Sequence, residues 1–359
     1  MNMYLARATL AVFLAFGLAG PVEASAFRLG VSSLPPQNGN PFSSPARTTW
    51  YTLRAFLDTL TQLGEGTKPE PALALSWANT DPQTWVVKLR PKVTFSDGEP
   101  MDAAAVVFTY DYLKTPEAQV DAIAREADGI TSVRALDPLT VEFRTKNADP
   151  AFPRQLAVTP IIPPGYWKKV GKEGFLLAPV GTGSFQVQSW EKNRIVLNAF
   201  RASWRAPKVD RLEIIALPET SARIQGLLSG RIDVAMEIGA DDVDAVTAAG
   251  YKVTAADLEK IGVHMIIRPL PWSQWVRGVQ QGEWVGQAFG FEYETLPTGD
   301  ILRPYRLYTC SWAHPWYCDK EIVPLVEEAK STFQPERRKQ LIKQILARTN
   351  EQAPTLLLY

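Results

Sequence analysis

Trp85-Val-Val-Lys-Leu-Arg90-Pro-Lys-Val-Thr-Phe95-Ser-Asp-Gly98-Glu-Pro100-Met-Asp102, running on into Ala103-Ala-Ala-Val-Val-Phe-Thr-Tyr-Asp-Tyr-Leu113, is the stretch on which the fold turns. The β-branched content of Trp85 to Arg90 predicts a strand, and Phe95-Ser-Asp-Gly98 predicts a turn. Asp102, placed directly before Ala103 to Leu113, can cap a helix whose first turn is expected to be exposed. Strand, turn and capped helix in immediate succession indicate an α/β chain.

The neighbouring segments extend that pattern in both directions. Upstream, Phe27 to Ser33 alternates like a short strand, Leu34 to Pro45 is a Pro/Asn/Ser loop, and Thr49 to Leu60 has helical spacing at Leu53, Phe56, Leu57 and Leu60. Downstream, strands are predicted at Thr140 to Arg144 (after an Asp137-Pro138 turn), Arg194 to Phe200 and Arg211 to Leu217. Ser221 to Ser229 reads as a helix stopped by Gly230, and Ile232 to Met236 as a buried strand. A helix from Ala256 ends at Gly262, where a C′ glycine suits the turn into an apolar run, Val263 to Ile267. Pro335 to Arg348 is amphipathic, with Leu341, Ile342, Ile345 and Leu346 on one side, and Leu356 to Tyr359 is apolar. No internal repeat stands out.

The 359 residues are 46% apolar and 21% charged, which suits a large core and excludes disorder. Lysine plus arginine equals aspartate plus glutamate at 38 each, so no net field recruits nucleic acid or an anionic membrane. The 28 prolines argue against a helical bundle, and the length suggests two domains. At the amino end, Arg7 precedes an uncharged run from Ala8 to Gly20, and Ala24-Ser25-Ala26 forms a small-x-small cleavage signal. That run is too short to span about 30 Å of hydrocarbon, so residues 1–26 are expected to be a cleaved signal peptide and the mature, soluble chain to begin at Phe27.

Cys310 and Cys318 are the only cysteines, and both lie in the exported part. An even pair in an oxidising compartment points to a disulfide loop. The competing reading adds His314 to make Cys-x3-His-x3-Cys, but three ligands at that spacing match no common zinc pattern, so no metal is expected.

Catalytic signals are sparse. His264 and His314 are the only histidines, and there is no Gly-x-Ser-x-Gly, phosphate loop or His-Glu-x-x-His. Gly181-Thr-Gly183-Ser-Phe resembles half a phosphate cradle but lacks a lysine, and is expected to be a tight turn. The pairs Asp241-Asp242 and Glu327-Glu328 are expected on solvated faces. No enzyme and no cofactor are expected. Aromatic residues, by contrast, crowd the segment from Trp272 to Tyr317, including Trp275, Trp284, Phe291, Tyr293 and Trp312; such residues line clefts as readily as they fill cores.

Three groups of segments, in order, resemble the bacterial extracellular solute-binding proteins of the peptide/nickel group (family 5), the exported receptors of ABC importers. The first is Leu75-Ser-Trp77 with the strand, Arg90, Phe95-x-Asp-Gly98 and the helix containing Ala105-Val-Val-Phe108. The second runs from Gly181-Thr-Gly183 through Trp190 and Trp204 to Leu228-Ser-Gly230-Arg-Ile-Asp233. The third is Asp257-Leu-Glu-Lys-Ile-Gly262, Trp272-Ser-Gln-Trp275 and Gly290-Phe291.

The resemblance implies a two-lobe periplasmic binding protein architecture (type II-like), with residues 27–254 as a discontinuous α/β first lobe and 255–359 as a remnant of the second. A block that relatives carry between the equivalents of Tyr251-Lys-Val-Thr254 and Ala256 to Ile261 is missing, so the second lobe is expected to be incomplete. A sheet lacking neighbours would expose an edge. The implied function is the periplasmic substrate-binding component of an ABC importer. It would hold a peptide-like or other small polar solute between the lobes, deliver it to an ABC permease in the inner membrane, and act as a monomer without catalysis or nucleic acid. The rival readings are a secreted hydrolase with an unrecognised site and a degenerate, non-transporting receptor. In peptide-binding members a tryptophan is followed three residues later by an aspartate that holds the ligand's ammonium. Phe291 and Glu294 occupy those places here, without the Asp-Pro that usually follows. Glu294 is therefore the expected charged anchor, with Phe291, Tyr293 and Trp312 as apolar walls.

Overall fold

Two sheets share one core in the computed structural model, which describes residues 26–43, 47–64, 68–238, 242–251, 302, 305, 310 and 319–352. The first sheet has strand order β11-β1-β10-β9-β8. Its members are β1 (Ala26–Val31), β8 (Phe185–Trp190), β9 (Arg194–Ala199), β10 (Arg211–Ala216) and β11 (Val234–Ala235). β1 runs parallel to both neighbours, with Leu29 opposite Ile214 on one side and Val234 on the other. β9 runs antiparallel to both of its neighbours, β10 and β8. Period-2 alternation divides the faces: Leu29, Val31, Ile214, Ile195 and Leu197 enter the main core. On the opposite face Ile215 meets a smaller cluster of Ile224, Leu227, Ile232 and Val246. These come mainly from α6 (Thr220–Leu228) and α7 (Val243–Ala248).

The strand predicted at Ile232 to Met236 shrinks to two half-buried residues. Ile232 packs under α6 instead, and Asp233 is pinned by Arg28, whose Nε and NH2 donate to its carboxylate at 3.1 and 3.0 Å.

The second sheet, in order β4-β5-β7-β6, is built from two hairpins: β4 (Ala74–Asp81) with β5 (Thr84–Leu89), and β6 (Ile130–Asp137) with β7 (Thr140–Thr145). A small ribbon of β2 (Thr61–Leu63) and β3 (Pro69–Pro71) adjoins it. The hairpins are a structural repeat, contrary to the sequence reading. Every cross-strand pair of the first, from Ala74↔Leu89 to Asp81↔Thr84, recurs 56 residues later, from Ile130↔Thr145 to Asp137↔Thr140, with register shifts at equivalent places. Both turns are Asp-Pro-x-Thr. In each the aspartate accepts the N–H of the third residue at 2.8 Å, from Gln83 and from Leu139. The repeat is faint in sequence because only Ser, Asp, Pro and Thr are shared at equivalent positions, whereas a hairpin needs only its turn chemistry and alternation.

Helix α1 (Arg47–Leu53) is shorter than the helix predicted to Leu60. The chain beyond it bonds to other segments: Gly183 and Phe185 N–H groups donate to the Phe56 and Ala55 carbonyls at 3.0 Å, Ile161 N–H to Asp58, and Ala74 N–H to Leu60. Phe56, Leu57 and Leu60 are buried all the same, so their apolar spacing reported burial without helix.

Helix α2 (Ala103–Leu113) forms as predicted, and Asp102 accepts the Ala104 and Ala105 N–H groups at 2.9 and 3.2 Å. Its first turn is not exposed, however: Ala103 and Ala105 are buried and only Ala104 faces out. Short helices α3 (Ala122–Glu126) and α4 (Phe152–Gln155) precede α5 (Pro164–Leu177). The Gly165 N–H at the start of α5 is held by the Glu99 carboxylate at 2.8 Å. An aromatic series runs through this core, from Tyr110 on Phe143 (5.1 Å) and Phe143 on Phe152 (5.3 Å) to Phe152 on Trp85 (5.6 Å).

Near the carboxyl end, α8 (Ile322–Ser331) and α9 (Pro335–Gln352) pack together through Ile322, Val326, Leu341 and Ile345. Phe333, between them, lies 6.2 Å from Trp85 and joins the helical pair to the aromatic series. No helix among the described residues is long and apolar enough to cross a membrane.

Candidate functional site

The parallel strands place three carboxyl ends side by side, because β1 lies between β10 and β11, two strands that follow it in the chain. Helix α6 carries the chain from β10 across to β11. In open α/β sheets, ligands bind just beyond the carboxyl ends of strands where the order reverses in this way. Residues leaving that edge are Ser32 to Leu34 after β1, and Met236 and Glu237 after β11. β8 ends on the same edge, at Trp190, being parallel in direction to β10.

The edge is held rigidly. Arg223 of α6 is 2% exposed, and its guanidinium donates only to neutral oxygens. These are the carbonyls of Leu217 and Pro218 before α6 (2.6 and 2.8 Å), those of Met236 and Glu237 after β11 (2.8 and 2.7 Å), and the Thr220 hydroxyl (3.0 Å). One buried cation thus clamps both ends of the crossover. Glu237 sits at φ 56°, a left-handed conformation that costs a residue other than glycine about 1 kcal/mol or more. Such strain persists only where the surroundings over-determine it, as Arg223 does here. The Glu237 carboxylate is exposed and bridges to β1 by accepting the Ser32 N–H at 3.3 Å. A concavity of about 400 Å³ is lined by Leu34, Pro35 and Asn38, which follow β1, and by Trp190, Glu191 and Lys192 at the end of β8. Asn38 there is also left-handed, at φ 48°.

A second polar cluster braces the sheet from below. Asp58 is 7% exposed and accepts from the Thr182 hydroxyl (2.8 Å), the Trp204 indole N–H (2.8 Å) and Arg205 Nε (2.7 Å), with Arg205 NH2 in ion-pair contact at 2.6 Å. Arg90 stacks over the Trp204 ring at 4.4 Å. Gly181 and Gly183 flank Thr182 because nothing larger fits. A Cβ on Gly181 would lie 2.0 Å from the Phe56 carbonyl oxygen, and one on Gly183 would lie 2.6 Å from the Phe56 backbone. This loop is a packed connector rather than an open phosphate cradle. It also takes the Ser96 N–H on the Gly181 carbonyl, joining the Phe95-Ser-Asp-Gly98 turn to the Gly-Thr-Gly loop.

Glu327 and Glu328 lie on exposed faces, paired with Lys330 and Arg337. Glu294, Phe291, Tyr293, Trp312, His264, His314 and Cys318 lie outside the described residues. Cys310 is disulfide-bonded. Among the described residues no group of three His, Cys, Asp or Glu side chains could hold a metal. Sequence reasoning missed Glu237, Arg223 and Asn38. An arginine within an otherwise helical apolar pattern was the available signal for Arg223, while the positive φ values have none.

Residues 68–255 match the model of the bacterial extracellular solute-binding proteins, family 5 middle region. The chain belongs to that family. Among curated proteins, the family 5 chain is 30% identical over 206 residues to the glutathione-binding protein GsiB of Escherichia coli and 29% identical to that of Shigella flexneri. Each match covers 55% of this chain and 40% of the relative, so the chain spans well under half the length of these proteins. Among solved structures it is similar to MoaA of A. tumefaciens in complex with mannopinic acid (TM-score 0.57, 25% identity, 63% of this chain and 48% of that one). The oligopeptide-binding protein AppA of Bacillus subtilis, in complex with a nonapeptide, shares the fold (TM-score 0.71, 17% identity, 92% and 91% covered). These neighbours give the family 5 chain the two-lobe periplasmic binding protein fold, with the family match confined to its first part.

Proposed function

We propose that the protein is the substrate-binding component of an ABC importer, exported to the periplasm, where it passes a peptide-like or other small polar solute to an inner-membrane permease. The observation that carries this reading is the braced carboxyl edge of β1, β10 and β11 in a family 5 chain, since such an edge is where an open α/β sheet receives its ligand. In this reading residues 27–254 form the first lobe and 255–359 belong to the second, which faces the edge. Glu294 supplies a charged anchor from that side, with Phe291, Tyr293 and Trp312 as walls. Of the proteins to which the chain is similar, one is named for glutathione, one was solved with mannopinic acid and one with a nonapeptide.

Native mass spectrometry of protein purified from its own periplasm tests the proposal. The expected result is a monomer that carries a small polar solute and whose mature chain starts at Phe27. Protein that retains no solute from periplasm or from a defined peptide mixture refutes it. On an identified cationic ligand, Glu294→Gln should lose about 1.5–3 kcal/mol of binding by calorimetry, and unchanged affinity removes Glu294 as anchor.

A further inference from the structure

We infer that Glu237 is the first lobe's ligand contact and that it selects a solute bearing an ammonium or guanidinium group. This rests on the solute-receptor reading above and adds the chemical class of the group that meets the first lobe. Three independent features converge on the residue. Its position is topological: it leaves β11 at the point where β1 is flanked by two later strands, and its carboxylate reaches across to the Ser32 N–H at the end of β1. Its backbone is strained at φ 56°. A glycine would adopt that conformation freely, so the side chain is kept at a cost to stability. Its carbonyl is clamped at 2.7 Å by Arg223, a buried guanidinium otherwise spent on main-chain carbonyls and one hydroxyl.

The charge is uncompensated. Among the described residues no lysine or arginine pairs with the Glu237 carboxylate, whereas Asp233, four residues earlier, is fully engaged by Arg28. The single N–H from Ser32 uses one oxygen, and the other, Oε1, has no hydrogen-bond partner among the described residues. A fixed, half-satisfied carboxylate at a ligand-receiving edge is complementary to a charge-assisted donor: an amine or guanidine forms short, strong bonds to it, while a neutral amide gains far less. Arg223 makes no bond to the Glu237 carboxylate, because all its bonds go to neutral oxygens, so among the described residues that carboxylate has no cationic partner.

The test uses a defined equimolar mixture of glutathione, lysine- and arginine-containing dipeptides, and counterparts of each in which every amine is acetylated and arginine is replaced by citrulline, so that no ammonium or guanidinium remains. Retention on the full chain is read by native mass spectrometry. The wild type should favour the cationic member of each pair by roughly tenfold, Glu237→Gln should cut that preference several-fold, and Glu237→Gln combined with Glu294→Gln should abolish it. The glutamine amide oxygen can still accept the Ser32 N–H, so that variant removes charge and little else. Glu237→Gly is the second single variant: it relieves the left-handed strain, so its melting temperature should hold or rise while the preference falls several-fold. A purely structural Glu237 would instead lower the melting temperature in both variants. Wild-type protein that retains charged and neutral members equally, or variants that keep the wild-type preference, overturn the inference and leave the receptor reading standing. Wild-type protein that retains no member overturns the receptor reading and the inference with it.

Discussion

Replacing Asp58 by alanine probes the joint that holds the sheets together. The carboxylate stands between the exit of α1, the Gly-Thr-Gly loop and the Trp204-Arg205 segment, and it accepts three hydrogen bonds at 2.7 to 2.8 Å while pairing with the Arg205 guanidinium. Removing one partner of a buried ion pair typically costs about 3–5 kcal/mol, because the remaining charge is left without a counterion. Arg205 is 32% exposed and can recover part of its hydration, which places its share near the lower end, about 3 kcal/mol. Arg205 also keeps bonds to the Ser184 hydroxyl and the Arg54 carbonyl. The Trp204 N–H and Thr182 hydroxyl each lose an acceptor, at about 0.5–1 kcal/mol apiece. Asp58→Ala should therefore destabilise by about 4 kcal/mol. Asp58→Asn should cost about 2 kcal/mol, since an amide can satisfy Arg205 or the two neutral donors but not both sets. Urea unfolding followed by tryptophan fluorescence measures both variants. A loss below about 1 kcal/mol in Asp58→Ala would show that the cluster does not brace the fold.

Asp233 is held below the usual carboxylate range, chiefly by side-chain bonds from Arg28 and against the opposing effect of burial. A depressed folded-state pKa contributes stability above the unfolded value of about 4 and loses it as the pH falls through the folded value. Asp233→Asn should flatten the acid limb of the stability profile below about pH 4, and a limb identical to wild type contradicts the assignment. Cys310 and Cys318 are expected to form one bridge, so thiol reagents should label both only after reduction. Labelling without reductant refutes the pairing. Phe333→Ala should release α8 and α9 from Trp85, and hydroxyl-radical footprinting should then oxidise Trp85 several-fold faster while Trp167, buried elsewhere in the core, stays protected. Equal Trp85 protection in variant and wild type would mean that the stack does not hold the pair.

The α/β alternation, the Asp102 cap, the Phe95-Ser-Asp-Gly98 turn, the Gly230 stop and the helix starting at Pro335 were legible in the sequence by itself. Each depends on residues a few positions apart: a carboxylate within reach of the next N–H groups, a glycine free to take φ 70°, an apolar stripe every three or four residues. The family resemblance was legible for the same reason, as turn and cap residues recur in order. What depends on distant partners was not. The segment Arg54 to Leu60 has helical spacing, yet its carbonyls are claimed by Gly183, Phe185 and Ile161, more than a hundred residues away. The hairpin repeat is carried by register and turn geometry that four shared residue types hardly betray. Glu237 reads as an ordinary surface acid. Only the parallel pairing of β1 with β10 and β11, and an arginine buried beneath the crossover, bring it to the carboxyl edge of the parallel strands and hold it in a conformation its own side chain disfavours. Local chemistry is written in adjacent residues, whereas the site arises from strands that meet across about two hundred residues of chain, and that meeting is settled by packing.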